Sequence, residues 1–154
     1  MPKQSAGLLL YRNHNEKLEV FLVHPGGPLW AKKDSGAWSI AKGEFDEEDP
    51  FLAAKREFQE ETGFEVPQGE YFPLTQVKQK SGKIVHAWAV EGELDAEHIH
   101  SNGFEMEWPP RSGRIQSFPE IDRAGWFPVE EAIQKINAGQ ASLIRELLER
   151  LTSR

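Results

Sequence analysis

Apolar residues fall in short bursts along this chain, each bounded by polar or turn-forming positions. Ala6 to Tyr11 and Leu18 to Val23 flank the polar turn Asn13-His14-Asn15-Glu16-Lys17 and predict a β-hairpin. A loop through His24-Pro25-Gly26-Gly27-Pro28 and Lys32-Lys33-Asp34-Ser35-Gly36 follows, bordering a cleft, before the brief β-like run Ala37-Trp38-Ser39-Ile40. Asp49 caps and Pro50 starts a helix over 50–62, which Thr62-Gly63 ends. Tyr71 to Val77 and Ile84 to Val90 flank Lys80-Ser81-Gly82-Lys83 as a second hairpin. Residues 95–117 hold no steady period and read as a long loop, and Arg123 to Phe127 read as a last short strand. Val129 to Asn137 reads as a helix, and Leu143, Ile144, Leu147, Leu148 and Leu151 mark an amphipathic helix after Gly139. With strands in hairpins rather than regular βαβ units, the order predicts an α/β chain of the α+β type, a mixed sheet packed between helices.

The length of 154 residues suits one domain spanning 1–154. An apolar fraction of 38% with nine Phe and five Trp excludes a disordered tail. The net charge of −7 disfavours nonspecific binding to nucleic acid or anionic membrane, so a phosphorylated substrate needs a local cationic bridge. Without Cys there is neither disulfide nor thiolate chemistry, any metal must sit on oxygen or imidazole, and a reducing, cytoplasmic setting is expected. Met1-Pro2-Lys3-Gln4-Ser5 lacks a signal-peptide core, and no run reaches the ~20 apolar residues of a membrane span.

The chemistry concentrates on helix 50–62. Glu57, Glu60 and Glu61 stand at i, i+3 and i+4, so three like charges share one face, while Phe51, Ala54 and Phe58 pack elsewhere. Helix geometry alone also suits a solvated acidic face; a hard divalent cation would relieve the repulsion.

Gly43, Glu48, Arg56-Glu57-Phe58, Glu60-Glu61 and Gly63-Phe64 resemble the Nudix box, G-x5-E-x7-R-E-U-x-E-E-x-G-U with U apolar. The spacing matches without a gap from Glu48 to Phe64; four residues rather than five separate Gly43 from Glu48, and Phe fills both U positions. The resemblance implies a Nudix-like αβα sandwich and hydrolysis of a diphosphate linkage in a nucleotide by water activated on Mg²⁺, with Mn²⁺ as a substitute. It implies metal ligation by Glu57 and Glu61, with Glu60 on a second ion or on water; any of the three could be the general base. Arg56 is expected to orient carboxylates, pairing with Glu48. Gly43 and Lys42 are placed at the turn into the box loop, Gly43 letting a carbonyl approach a cation and Lys42 contacting phosphate. Glu120, six residues before Trp126, resembles a glutamate that approaches the metal site in several Nudix hydrolases.

Lys32, Lys33, Arg111 and Arg114 are candidates for the cationic bridge, and Trp30, Trp38 and Trp108 for base stacking. Glu44, Asp46 and Glu47 read as solvated acids, and His98-x-His100 as weak metal spacing. Lys78-Gln79-Lys80-Ser81 lacks both the Pro that marks ADP-ribose hydrolases of the family and the Tyr of some diadenosine polyphosphate hydrolases, so these markers assign no substrate. Length and strand order resemble the branches that cleave nucleoside triphosphates and dinucleoside polyphosphates, and a nucleoside polyphosphate is favoured. A nucleotide-sensing module without turnover and a metal-stabilised interaction domain are the alternatives.

Overall fold

Strand β1 (Gln4–His14) is the spine of the fold in the computed structural model, which describes residues 2–153. Met1 and Arg154, the ends of the expected domain, lie outside the described residues. A two-residue connection leads into β2 (Lys17–Pro25), and both Asn15 and Glu16 have positive φ, 52° and 65°, as a tight hairpin turn following the right-handed strand twist requires. The remaining elements are β3 (Ala41–Phe45), α1 (Pro50–Thr62), β4 (Phe72–Lys78), β5 (Ile84–Glu91), β6 (Gly103–Glu107), β7 (Ile115–Pro119), β8 (Ile121–Pro128), α2 (Val129–Lys135) and α3 (Ala141–Thr152).

The main sheet runs β4-β5-β1-β2-β8, with β3 also paired to β1. Strand β5 lies parallel to β1 and the other pairings are antiparallel, so the sheet is mixed, as expected. On its other edge β1 is shared: residues 4–8 pair with β3 and residues 11–14 with β2. Two strands taking turns on one edge must diverge, and the cleft opens beside that divergence.

Alternation along β1 feeds two cores. Leu9 and Tyr11 join Val20, Leu22, Leu143, Ile144 and Leu147 on the face covered by α2 and α3. Ala6, Leu8 and Leu10 join Phe21, Ala53, Ala54 and Phe58 on the face covered by α1. The αβα sandwich is therefore present, and each side chain from Leu8 to Leu10 is fully buried. Phe58 is 0% exposed, so truncating it to Ala would cost about 3–5 kcal/mol.

Helix α1 has the bounds expected from its caps. Asp49 accepts a hydrogen bond from Leu52 N–H, Pro50 occupies the first turn, and Gly63 closes the helix at φ 79° while donating its N–H to Gln59 O.

Three expectations are corrected. Residues 95–117 are not a structureless loop: a 3-10 turn at Ala96–His98 precedes the antiparallel pair β6–β7, a separate two-stranded sheet. Lys42 and Gly43 are not in a turn, since both lie within β3 opposite Gly7 and Ala6. The helix expected over 129–137 stops at Lys135, because Ile136 turns extended to bridge Trp38. No described helix is long and apolar enough to cross a membrane.

Candidate active site

Helix α1 lays its buried side on the sheet and turns Glu57, Glu60 and Glu61 toward the end of β3. There they meet Lys42, Gly43, Ser5, Asn102 and Glu120 around a cavity of about 350 Å³. Gly43 earns its place by lacking a side chain, since a Cβ there would stand 1.9 Å from Glu57 Oε2. The reason expected from sequence, room for a carbonyl beside a cation, gives way to room for the Glu57 carboxylate.

Arg56 organises the acids. Its Nη1 donates to Glu57 Oε1 at 2.9 Å and to Glu60 Oε2 at 3.2 Å, while Nε donates to Glu48 Oε1 at 3.1 Å and Nη2 pairs with the same carboxylate. The expected Arg56–Glu48 pair thus forms despite the shortened loop.

Glu120 is held by backbone on both sides. Its N–H donates to Asn102 O and its carbonyl accepts Gly26 N–H, each at 2.8 Å. Gly26 permits this close approach, because a Cβ there would lie 2.0 Å from Pro119 O. A residue 59 positions beyond Glu61 is thereby brought to the same cavity, while Trp126 is fixed elsewhere on β8 by donating Nε1–H to Leu94 O at 3.0 Å.

The cavity is electrostatically under-compensated. Burial first, then the charges of Glu120 and Glu57, push the Glu61 carboxyl up to about 8, against the pull of Lys42. Burial also raises Glu57, where Arg56 opposes it, and raises Glu120, where Glu60 adds to it. Lys42 is pushed down to about 8 by burial and by Lys83. Glu61 Oε2 is buried with no hydrogen-bond partner among the described residues. No three His, Asp or Glu side chains among the described residues enclose an ion as they stand, Glu57 and Glu60 being turned to Arg56. An orphaned carboxylate oxygen within an all-oxygen donor set nevertheless fits a hard divalent cation.

A second cavity, of about 440 Å³, continues from the first through shared walls of Lys42, Glu61 and Glu120. Its far end is formed by Trp30, Trp38, Ser39, Gln79, Asn137 and Gln140. Trp30 and Trp38 thus border the cleft, and Trp108 borders neither cavity. Of the expected cationic bridge, Lys32, Lys33, Arg111 and Arg114 line neither cavity; Lys42, Lys80 and Lys83 do. Glu44 pairs with Lys83 at 2.9 Å, and Asp46 and Glu47 are exposed. His98 pairs with Asp95 at the surface. Gln79, Asn137 and Gln140 were not foreseen, being scattered over 62 residues with no shared motif.

The family model described as NUDIX domain matches residues 1–147. Among solved structures, the fold is similar to a C. elegans Ap4A hydrolase in a binary complex, with a TM-score of 0.66 and 24% identity over 99% of both chains. It is also similar to the NUDIX domain of Shewanella oneidensis NrtR complexed with ADP ribose, with a TM-score of 0.65 and 18% identity over 98% of this chain and 89% of that one. A curated relative from Myxococcus xanthus named octanoyltransferase is 25% identical over 153 residues, and the chain spans 37% of that relative's length.

Proposed function

Because the chain belongs to the Nudix family, we propose that it hydrolyses a diphosphate linkage in a nucleotide, with Mg²⁺ or Mn²⁺ held by Glu57, Glu61, Glu60 and Glu120. The observation that carries this reading is the convergence of Glu61, with its buried unpartnered oxygen, and Glu120 on the cavity that Glu57, Glu60 and Lys42 also line. When bound, the cation would screen phosphate oxygens and acidify water.

The chain's own residues divide the remaining work. Arg56 ties Glu48, Glu57 and Glu60 into one array, which fixes the direction of the carboxylates before substrate arrives. Lys42, half enclosed between the two cavities, supplies positive charge where a phosphate would pass from one to the other. Both oxygens of Glu60 accept from Arg56, so the Glu120 carboxylate, which lines the same cavity, is the group placed to take a proton from an attacking water. The second cavity takes the part of the substrate beyond the phosphates, and a nucleoside polyphosphate is the favoured class.

A screen of nucleotides with Mg²⁺ or Mn²⁺, identifying phosphate-containing products, tests the proposal: turnover is expected only with metal present. One observation favours a second reading, a nucleotide sensor, because Arg56 already occupies Glu57 and Glu60. Tight nucleotide binding with no product under any metal would establish that reading instead.

A further inference from the structure

Two backbone N–H groups determine which way two amide side chains face in the larger cavity. Ile40 N–H can only donate, and it donates to Gln140 Oε1 at 3.1 Å. The Gln140 amide nitrogen is thereby turned the other way, donating to Gln79 Oε1 at 2.8 Å and to Ser39 Oγ at 3.1 Å. Ser39 gives its own proton to Ile40 O at 2.8 Å, so it accepts from Gln140. Gln140 is 1% exposed, so a flipped amide would find no water to satisfy it. With Gln79 Oε1 engaged, its NH₂ is the group left for the cavity, and no group among the described residues accepts from it.

Asn137 is oriented in the same manner. Its Oδ1 accepts Gly139 N–H at 2.8 Å, which leaves its NH₂ to the cavity that it lines. The two amides are neighbours: Gln79 Cγ lies 3.3 Å, and Asn137 Oδ1 3.2 Å, from the point a Gly139 Cβ would take. Trp30, 39% exposed, offers the same cavity a flat aromatic wall.

Resting on the reading of the cleft as a nucleotide site, we propose that this cavity takes the nucleobase and selects an oxo-base, which presents acceptors to Gln79 and Asn137, over one presenting an exocyclic amino group. A 6-oxopurine carries two adjacent acceptors, O6 and N7, whereas a 6-aminopurine sets a donor beside N7. A donor placed against an amide NH₂ that cannot turn leaves two N–H groups desolvated and facing one another. Gln140 touches no substrate in this scheme; it is a positioning residue that transmits the polarity of Ile40 N–H to Gln79.

The test is equilibrium binding of inosine and adenosine 5′-monophosphates to the whole chain by titration calorimetry. Neither ligand contains a diphosphate linkage, so the result is independent of whether the chain hydrolyses anything. Inosine monophosphate is expected to bind about tenfold more tightly. Equal affinities, a preference for adenosine, or no binding of either at millimolar concentration would overturn the proposal. Glu at position 79 keeps an oxygen for Gln140 and turns an acceptor outward, so Gln79→Glu should move the preference toward adenosine. Gln140→Glu removes the donor that holds Gln79 and should bring the ratio toward one. Should that buried change unfold the chain, Gln79→Leu, at a partly exposed position, should abolish the preference with the fold intact by circular dichroism. An unchanged ratio in Gln79→Glu or Gln79→Leu would be equally fatal.

Discussion

Gly43 and Glu57 compete for one position: a Cβ on Gly43 would stand 1.9 Å from Glu57 Oε2 and 2.1 Å from its carboxyl carbon. The obstacle is the far end of a flexible side chain, so Glu57 would swing aside before β3 gave way. Gly43→Ala is therefore expected to cost about 100-fold in kcat while shifting stability by less than about 1 kcal/mol. Steady-state kinetics beside a thermal melt checks this; a variant that loses stability and keeps activity would contradict the assigned role of Gly43.

Removing charge from the acid cluster should separate catalysis from folding. Glu57→Gln and Glu61→Gln each delete a candidate ligand at constant size, and a loss of about 100-fold or more in turnover is expected, roughly 3 kcal/mol of barrier. Each change also relieves like-charge repulsion, so the metal-free protein should melt at the same temperature or slightly higher. A large fall in the metal-free melting temperature would instead assign these residues a structural role.

Divalent metal should stabilise the folded chain through the same carboxylates. Mg²⁺ at about 100 times its dissociation constant adds about 2.7 kcal/mol to a protein with one site. At this chain length that is a rise of roughly 5–10 °C. Differential scanning fluorimetry with and without chelator reads it, and Glu61→Gln should abolish most of the shift. An equal shift in wild type and variant would place the metal elsewhere.

Glu120→Gln tests whether the acid held between β7 and β8 takes part in the reaction. A group acting mainly in the transition state lowers kcat with KM little changed, whereas a bystander changes neither. Kinetics across Mg²⁺ concentrations distinguishes them. Glu48→Gln, which loosens Arg56 from one end of its array, should weaken metal use by about 10- to 100-fold without abolishing turnover.

Where structure follows from neighbouring residues, it was legible in advance. Asp49, Pro50 and Gly63 bracket α1 to the residue, because caps act within one helical turn. Strand β3 was invisible for the opposite reason: Ala-Lys-Gly-Glu-Phe has little β character of its own, and the segment is extended because β1 offers it a free edge. The β6–β7 pair was hard to detect because its alternation is short: Phe104 and Met106 alternate with the exposed Glu105 and Glu107 over only four residues, and Gln116 and Ser117 in β7 both face solvent. Within the site, resemblance placed Glu57, Glu60, Glu61 and Glu120 together, whereas the Ile40-Gln140-Gln79 relay depends on contacts between residues 61 and 100 positions apart. No window along the chain could have contained it.

The anchoring of Glu120 between Gly26 and Asn102 separates its position from the length of the hairpin that precedes it. The β6–β7 tip, Trp108 to Arg114, lines neither cavity, and its backbone is closed on itself by Trp108 N–H donating to Arg114 O at 2.9 Å. Chain added at Ser112-Gly113 would lengthen an outboard ribbon whose two roots stay pinned. The tip is thus an engineering port: a fluorescent reporter or affinity peptide inserted there would travel with the protein while Glu120 stays where Gly26 and Asn102 hold it.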